Sequence, residues 1–230
     1  MPEQIAAVIL AAGAGTRMRS ALPKPLHLLC GRPMIDYVLD AAAISSLAQS
    51  IVVLSPALDA DVQLVDHLEH RVGDNLRIAI QHETLGTGDA LRAAIPLLED
   101  VDSVIVLFAD HPLLTKVRMI ELSESLRPAG AVVSVLTCIV DEAAGYGRIE
   151  RDAAGRIERI VERKDDNPAR RNGPIEINSG MMAIDAEWLR STINRLTPSP
   201  ATGEYYLTQL VEFAVADGRQ VASVLGEPGE

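Results

Sequence analysis

Gly13 and Gly15 close a run of small and apolar residues, "AVILAAGAG", and Arg17, Arg19 and Lys24 follow closely. A residue without a side chain lets backbone N–H groups approach a ligand and tolerates strained backbone angles. Arginine can fork two N–H bonds onto phosphate oxygens and lysine supplies a compact charge, so this trio suits a polyphosphate better than a carboxylate. Two familiar phosphate motifs fit poorly. Met18 stands at the third glycine position of a dinucleotide fingerprint, and no helical pattern begins before about Pro33. Lys24 is followed by Pro25 instead of Ser or Thr, against the rule for a Walker loop. The plain alternative is a βα turn with a solvated basic face. Further along, Asp110 ends the apolar run "SVIVLFAD". A carboxylate there loses hydration unless a cation or hydrogen bonds compensate it, so it reads either as a cation partner or as a helix cap before Pro112.

The elements that must position these residues alternate along the chain. Short β-rich apolar runs occur at 6–12, 50–55, 76–81, 103–110 and 131–140. Between them "MIDYVLDAAAI", "DADVQLVDHLEH", "GDALRAAIPLLE" and "TKVRMIELSESLR" space their apolar residues as helices do. That alternation predicts a Rossmann-like α/β fold, a mostly parallel sheet with helices on both faces, whose ligands gather at the strands' carboxyl ends. After residue 145 two charged, alternating segments flank Ala154 and Gly155, which predicts a β-hairpin; a returning strand, "IEINSGMMAI", and two helices complete the chain. The expected organisation is one domain over 1–230, with a first half at about 1–115 and a second half, containing the hairpin, at about 116–230.

Charge narrows the partners. Asp and Glu number 32 against 21 Lys and Arg, a net charge of -11, so a broad footprint for nucleic acid or an anionic membrane is excluded and an anionic ligand must be small and locally held. No apolar run approaches the roughly 20 residues of a membrane span. Cys30 and Cys138 lack metal or redox spacing and no signal-like segment opens the chain, which predicts a cytoplasmic protein with reduced thiols.

The string "LAAGAGTRMRSALPKPLHLLCGRPM" closely resembles the signature of sugar-1-phosphate nucleotidyltransferases. "QHETLGTGDA", "FADHPLL", "GYGRI", "IVERKD", "INSGMMA" and "GEYYLTQL" then appear in the order expected of the uridyltransferase domain of bacterial bifunctional N-acetylglucosamine-1-phosphate uridyltransferases. The resemblance covers essentially the whole chain. It implies transfer of uridylate from UTP to N-acetylglucosamine 1-phosphate with release of pyrophosphate, a step towards cell-wall precursors, with Mg2+ as cofactor. By the same resemblance Leu10, Ala11, Ala12 and Gly13 line the base and ribose, and Gln81, Gly86 and Thr87 bind the uracil and its surroundings. A glutamine amide and an open Gly-Thr-Gly turn offer both donors and acceptors to that mixed edge. Arg17 and Lys24 hold phosphates and Asp110 holds the metal, these three being the catalytic set. By the same resemblance the first half binds the nucleotide and the second half the sugar, which Gly147, Glu162 and Asn178 meet, with Lys164 and Thr208 as further candidates for phosphate or sugar contact.

Some positions depart from the family pattern. Phe108 replaces a frequent tyrosine and Ala109 a usual glycine in the substrate wall, Ala14 replaces a frequent basic residue, and Gln209 replaces an aspartate. The chain ends at "VLGEPGE", short of the family's asparagine that serves as a second metal ligand, and without the β-helix acetyltransferase domain and its trimer contacts; a monomer or weak oligomer is expected. The competing readings are transfer to another sugar 1-phosphate or from another nucleotide, and a nucleotide-binding regulatory domain that does not turn over.

Overall fold

A strand covered on both faces has no solvated side for polar residues, so it reads as an unbroken apolar run. "IAAVIL" and "SVIVLF" are two such runs, and they form the middle of the sheet. The computed structural model describes residues 3–13, 15, 18–43, 47–72, 76–127, 130–170 and 172–227. Its first half runs β1 (Ile5–Leu10), the two-residue strands β2 (Leu28–Leu29) and β3 (Arg32–Pro33), α1 (Met34–Ala42), β4 (Leu47–Leu54), α2 (Pro56–Asp59) and α3 (Val62–Val72). There follow β5 (Leu76–Ile80), α4 (Thr87–Ala94), β6 (Ser103–Phe108) and α5 (Lys116–Glu124). The remainder is β7 (Ala131–Glu142), β8 (Arg148–Arg151), β9 (Ile157–Val161), β10 (Asn172–Asp185), α6 (Ala186–Thr192), α7 (Gln209–Ala216) and β11 (Gln220–Gly226).

Across the large sheet the order is β11, β7, β10, β6, β1, β4, β5, with β8 paired to β10 and β9 to β8. β5, β4, β1 and β6 are parallel neighbours, as are β11 and β7. The expected mostly parallel α/β sheet is therefore present. Two features were not expected. β10 runs antiparallel between β6 and β7, so the run at 131–140 is not a simple neighbour of β6. The tail also carries β11, a half-exposed seven-residue strand whose weak alternation blends into the preceding helix.

Side chains of β1 and β6 divide between two cores because successive residues point to opposite faces. Ala6, Val8, Leu10, Val104 and Val106 pack with α4, α6 and α7 through Leu91, Leu189 and Leu210. Ile5, Ile9, Ile105 and Leu107 pack with α1, α3 and α5 through Ile35, Leu64 and Met119. Both cysteines are free, Cys30 being exposed. No described helix is long and apolar enough to cross a membrane.

The β8–β9 hairpin is tied down by charge. Arg148 donates from Nε and Nη2 to the two oxygens of Asp166 at 3.0 and 2.7 Å, and again to Glu150 at 2.9 Å. Arg159 and Arg170 also donate to Glu150, at 2.6 and 3.2 Å. The Arg159 hydrogen bond, opposed by burial and helped by Arg148 and the two positive charges, holds the Glu150 carboxyl below its ordinary 4.5. The folded chain thus keeps this carboxylate charged to a lower pH than the unfolded chain does. Its stabilisation is complete above about pH 4.5 and disappears as pH falls through the folded value. Glu150→Gln is expected to flatten the acid limb of the stability curve. Urea midpoints followed from about pH 6 to 3 check this, and parallel limbs for parent and variant would refute it.

Candidate active site

Three backbone hydrogen bonds carry the parallel ladder past its strands. Ala11 N–H donates to Val53 O at 2.9 Å, Ala109 N–H to Leu10 O at 3.1 Å and Gln81 N–H to Leu54 O at 2.8 Å. They fix the residues that follow β1, β6 and β5 in the wall of a cleft of about 520 Å³ at the carboxyl ends of those strands. Leu10, Ala11, Ala12, Gly13, Lys24, Gln81, Gly86, Thr87, Phe108, Ala109 and Asp110 line it from the first half, and Gly147, Glu162, Asn178 and Thr208 from the second. Arg17 lies outside the described residues, and Arg19 and Lys164 are not among those lining the cleft.

Lys24 and Asp110 meet in an ion pair inside this cleft, each with about a third of its side chain exposed (33% and 37%). Lys24 begins a short 3₁₀ turn, Lys24–Leu26, anchored by buried Pro25 and Leu26. A Cβ at Gly15 would fall 3.0 Å from that of Lys24, so the bare residue lets the glycine loop lie directly on the lysine. Burial pushes the Asp110 carboxyl up, but the hydrogen bond from Lys24, with the charge that His111 carries at acid pH and that of Lys24, outweighs it and leaves the group below its usual 3.8. His111 stacks on Phe108 with ring centroids 5.1 Å apart. Its own burial, aided by the Lys24 charge and opposed by Asp110, lowers it beneath 6.5. At neutral pH the pair of neighbours is therefore a carboxylate beside a neutral imidazole.

In the cleft wall the loop before α4 is stitched to the segment before α7. Tyr205 N–H donates to Leu85 O at 2.7 Å, Gly88 N–H to Tyr205 O at 2.8 Å, and Leu207 N–H to the hydroxyl oxygen of Thr87 at 3.1 Å. Thr87 thus lines the cleft and also braces it. Gly86 has φ +107, and a Cβ there would stand 2.7 Å from Tyr205 O. Gly13 differs, because an added Cβ meets nothing within 4 Å. The fold requires a glycine at 86 and makes no such demand at 13. Gly86→Ala is expected to lower stability by about 2 kcal/mol or more through clash and strain, whereas Gly13→Ala keeps the parental melting temperature and weakens nucleotide binding. Thermal melts and nucleotide titrations of the two variants separate the cases; equal melting losses would reject the contrast.

Thr208, the residue after Leu207, donates to Glu162 Oε1 at 2.9 Å and so orients that carboxylate. Asn178 N–H donates to Gly147 O at 2.9 Å, joining β10 to the residue that precedes β8. Asn178 Oδ1 accepts from Gly180 N–H at 2.9 Å, within a break in the β10–β7 register between Asn178 and Met182. With its oxygen so engaged, the amide turns its NH2 donors elsewhere. A Cβ at Gly147 would meet Ile160 Cγ2 at 2.8 Å, so packing against β9 also demands that glycine. His111, Gly180 and Tyr206 line the cleft without having been singled out; the available sign for Gly180 was its place beside Asn178 in "INSGMMA".

Among the described residues no cluster of three His, Cys, Asp or Glu could hold a metal. A lone carboxylate is nevertheless the donor set that suits Mg2+, which keeps several waters and is bound through one or two carboxylates plus substrate phosphates. Asp110, at the mouth of a parallel sheet beside Lys24, fits that mode.

Residues 6–228 match the model of the nucleotidyl transferase family. The chain is 42% identical over 225 residues to the bifunctional protein GlmU of Trichlorobacter lovleyi, covering 96% of this chain and 47% of the relative. It is 41% identical to GlmU of Pelotomaculum thermopropionicum, covering 95% and 46%, and 42% identical to that of Pseudomonas aeruginosa, covering 94% and 45%. The chain thus spans about half the length of these curated relatives. The structure of CMP:2-keto-3-deoxy-manno-octonic acid synthetase complexed with CTP superposes with a TM-score of 0.70 over 98% of this chain and 91% of that one, at 18% identity, a likeness of fold. With the match running from the first strand to the last, the chain belongs to the nucleotidyl transferase family.

Proposed function

We propose that the cleft joins UTP and N-acetyl-α-D-glucosamine 1-phosphate into UDP-N-acetylglucosamine and pyrophosphate. The observation that carries this reading is the Lys24–Asp110 ion pair, which shares one cleft with Gln81 and Gly86 from the first half and with Glu162 and Asn178 from the second. The relatives named GlmU support it over their matching half. In the reaction a phosphate oxygen of the sugar phosphate attacks the α-phosphorus of UTP and pyrophosphate leaves. A phosphate monoester with its second pKa near ~6 is already mostly dianionic at neutral pH, so no side chain need act as a general base. The obstacle is repulsion between anions.

The chain's own groups meet that obstacle by position. Lys24 turns from Asp110 to the triphosphate and neutralises it, and Arg17, which precedes it in the chain, adds a forked contact. Asp110, kept ionised, is the group that would hold Mg2+. When bound, Mg2+ supplies positive charge at the phosphate oxygens, worth several kcal/mol in such reactions. Gly13 lets the backbone approach the nucleotide, in the open space where a Cβ would meet no protein atom. Glu162, braced by Thr208, accepts from sugar hydroxyls, and the Asn178 amide donates to the sugar or its acetyl carbonyl.

Incubation with Mg2+, each nucleoside triphosphate and a panel of sugar 1-phosphates, with pyrophosphate as readout, tests the proposal. Product with UTP and N-acetylglucosamine 1-phosphate is expected. Product only with another pair replaces the substrate assignment, and binding without turnover replaces the enzyme by a regulatory nucleotide-binding domain.

A further inference from the structure

Gln81 stands on the cleft wall just after β5, 4% exposed, with its backbone fixed by the hydrogen bond to Leu54 O. Both hydrogens of its side-chain amide are committed. Nε2 donates to Gly86 O at 3.0 Å and to Asp89 Oδ2 at 2.9 Å. A backbone carbonyl and a carboxylate are acceptors only, so chemistry fixes which end of the amide faces them. A flipped amide would set its oxygen against two other oxygens and leave two buried acceptors unpaired, each loss comparable to a missing hydrogen bond. Among the described residues no donor meets Oε1.

Asp89 is itself held in place. It lies in the first turn of α4, where the exposed N–H groups of a helix favour a carboxylate. Arg92 Nη2 stands 3.8 Å from its other oxygen, and the Arg92 guanidinium rests over the Tyr205 ring at 4.5 Å. A chain of contacts therefore runs from Tyr205 through Arg92 and Asp89 to the Gln81 amide.

We propose that Asp89 sets which pyrimidine the cleft accepts, by locking the Gln81 amide with its oxygen toward the base. This rests on the reading of the cleft as a nucleotide site and adds a positioning residue to it. An amide oxygen can only accept. Uracil and thymine present a ring N–H between two carbonyls, which pairs with that oxygen. The corresponding ring nitrogen of cytosine is an acceptor, so two lone pairs would face each other. A site that offers one fixed hydrogen-bond role rejects the partner lacking its complement much more strongly than a merely apolar pocket does. Were the amide free to turn, the same glutamine would serve either base.

The test measures equilibrium binding of UTP, CTP and 3-methyluridine triphosphate to the unmodified protein and to Asp89→Asn, with KM and kcat from pyrophosphate release alongside. The unmodified protein is expected to favour UTP over both others by at least about tenfold, since methylation removes the ring N–H and cytosine never had it. The side chain introduced by Asp89→Asn can offer either its NH2 or its oxygen, so the substitution is expected to shrink the UTP-to-CTP ratio about tenfold, through KM for UTP with kcat nearly unchanged. Equal binding of UTP and its 3-methyl analogue overturns the proposal without any variant, and so decides it even where Asp89→Asn fails to fold. A folded Asp89→Asn that keeps the parental ratio overturns it as well. Discrimination among the nucleotides without pyrophosphate release under any pairing leaves this proposal standing and removes the transferase reading; turnover with no discrimination does the reverse. Failure of every nucleotide to bind removes both.

Discussion

Lys24→Ala is expected to slow pyrophosphate release from UTP and N-acetylglucosamine 1-phosphate at least about a hundredfold, the scale of losing one preorganised charge contact. The argument starts from the pair it forms with Asp110. In the ligand-free chain the two charges neutralise each other in a cleft that water still reaches. A triphosphate is the stronger partner for the lysine, and a divalent cation is the stronger partner for the carboxylate. On the proposed reading, substrate arrival exchanges one ion pair for two new ones, and neither charge has to be created at that moment. Asp110→Ala should cause a loss of similar scale. Because the two side chains act on the same repulsion between anions, the double variant should be little worse than the poorer single one. Initial rates of pyrophosphate release for the three variants check this. Near-parental turnover by Lys24→Ala would remove the phosphate role from this residue, and strictly additive losses would separate it from Asp110.

Arg148→Ala is the substitution with the largest expected effect on stability, about 3 kcal/mol, the lower end for breaking a buried ion pair. The Arg148 and Asp166 side chains retain only 12% and 2% of their exposure, and the contact is a fork of two hydrogen bonds. That fork, opposed by burial and aided by Glu150, raises the Arg148 guanidinium still further above its ordinary value. Removing the arginine leaves Asp166 buried with its forked donor gone, and leaves Arg159 and Arg170 as the arginines, among the described residues, that still donate to Glu150. The value is kept at the lower end because these remaining arginines absorb part of the loss. Urea unfolding at neutral pH measures it. A change below about 1 kcal/mol, the range of an exposed pair, would show that the cluster behaves as surface charge.

Much of the fold was legible because burial imposes composition. The runs at 6–12, 50–55, 76–81, 103–110 and 131–140 correspond to β1, β4, β5, β6 and β7, and the charged alternation around Ala154 and Gly155 is the β8–β9 hairpin. Most of the residues named from the family resemblance line the cleft, while Arg17 lies outside the described residues and Lys164 is not in the lining. Partners were not legible. Nothing in "FADHPLL" announces that Asp110 meets Lys24, 86 positions away along the chain. Likewise "LGTGDA" reads as an open turn, yet the Thr87 hydroxyl oxygen accepts from Leu207 and an Asp89 carboxylate oxygen accepts from Gln81.

The amino-acid sequence by itself determined the alternation of strands and helices, the faces on which apolar residues gather, and the glycines and cations that follow β1. These follow from periodicity and from the local conformational demands of single residues. Only the tertiary structure decided that β10 enters antiparallel between β6 and β7 and brings Asn178 and Gly180 to the cleft. It alone decided which donor meets which acceptor around Gln81 and Glu162. Period-two alternation marks the face a side chain takes and is silent on the neighbouring strand, while a hydrogen bond's direction depends on atoms that the chain brings together from far apart.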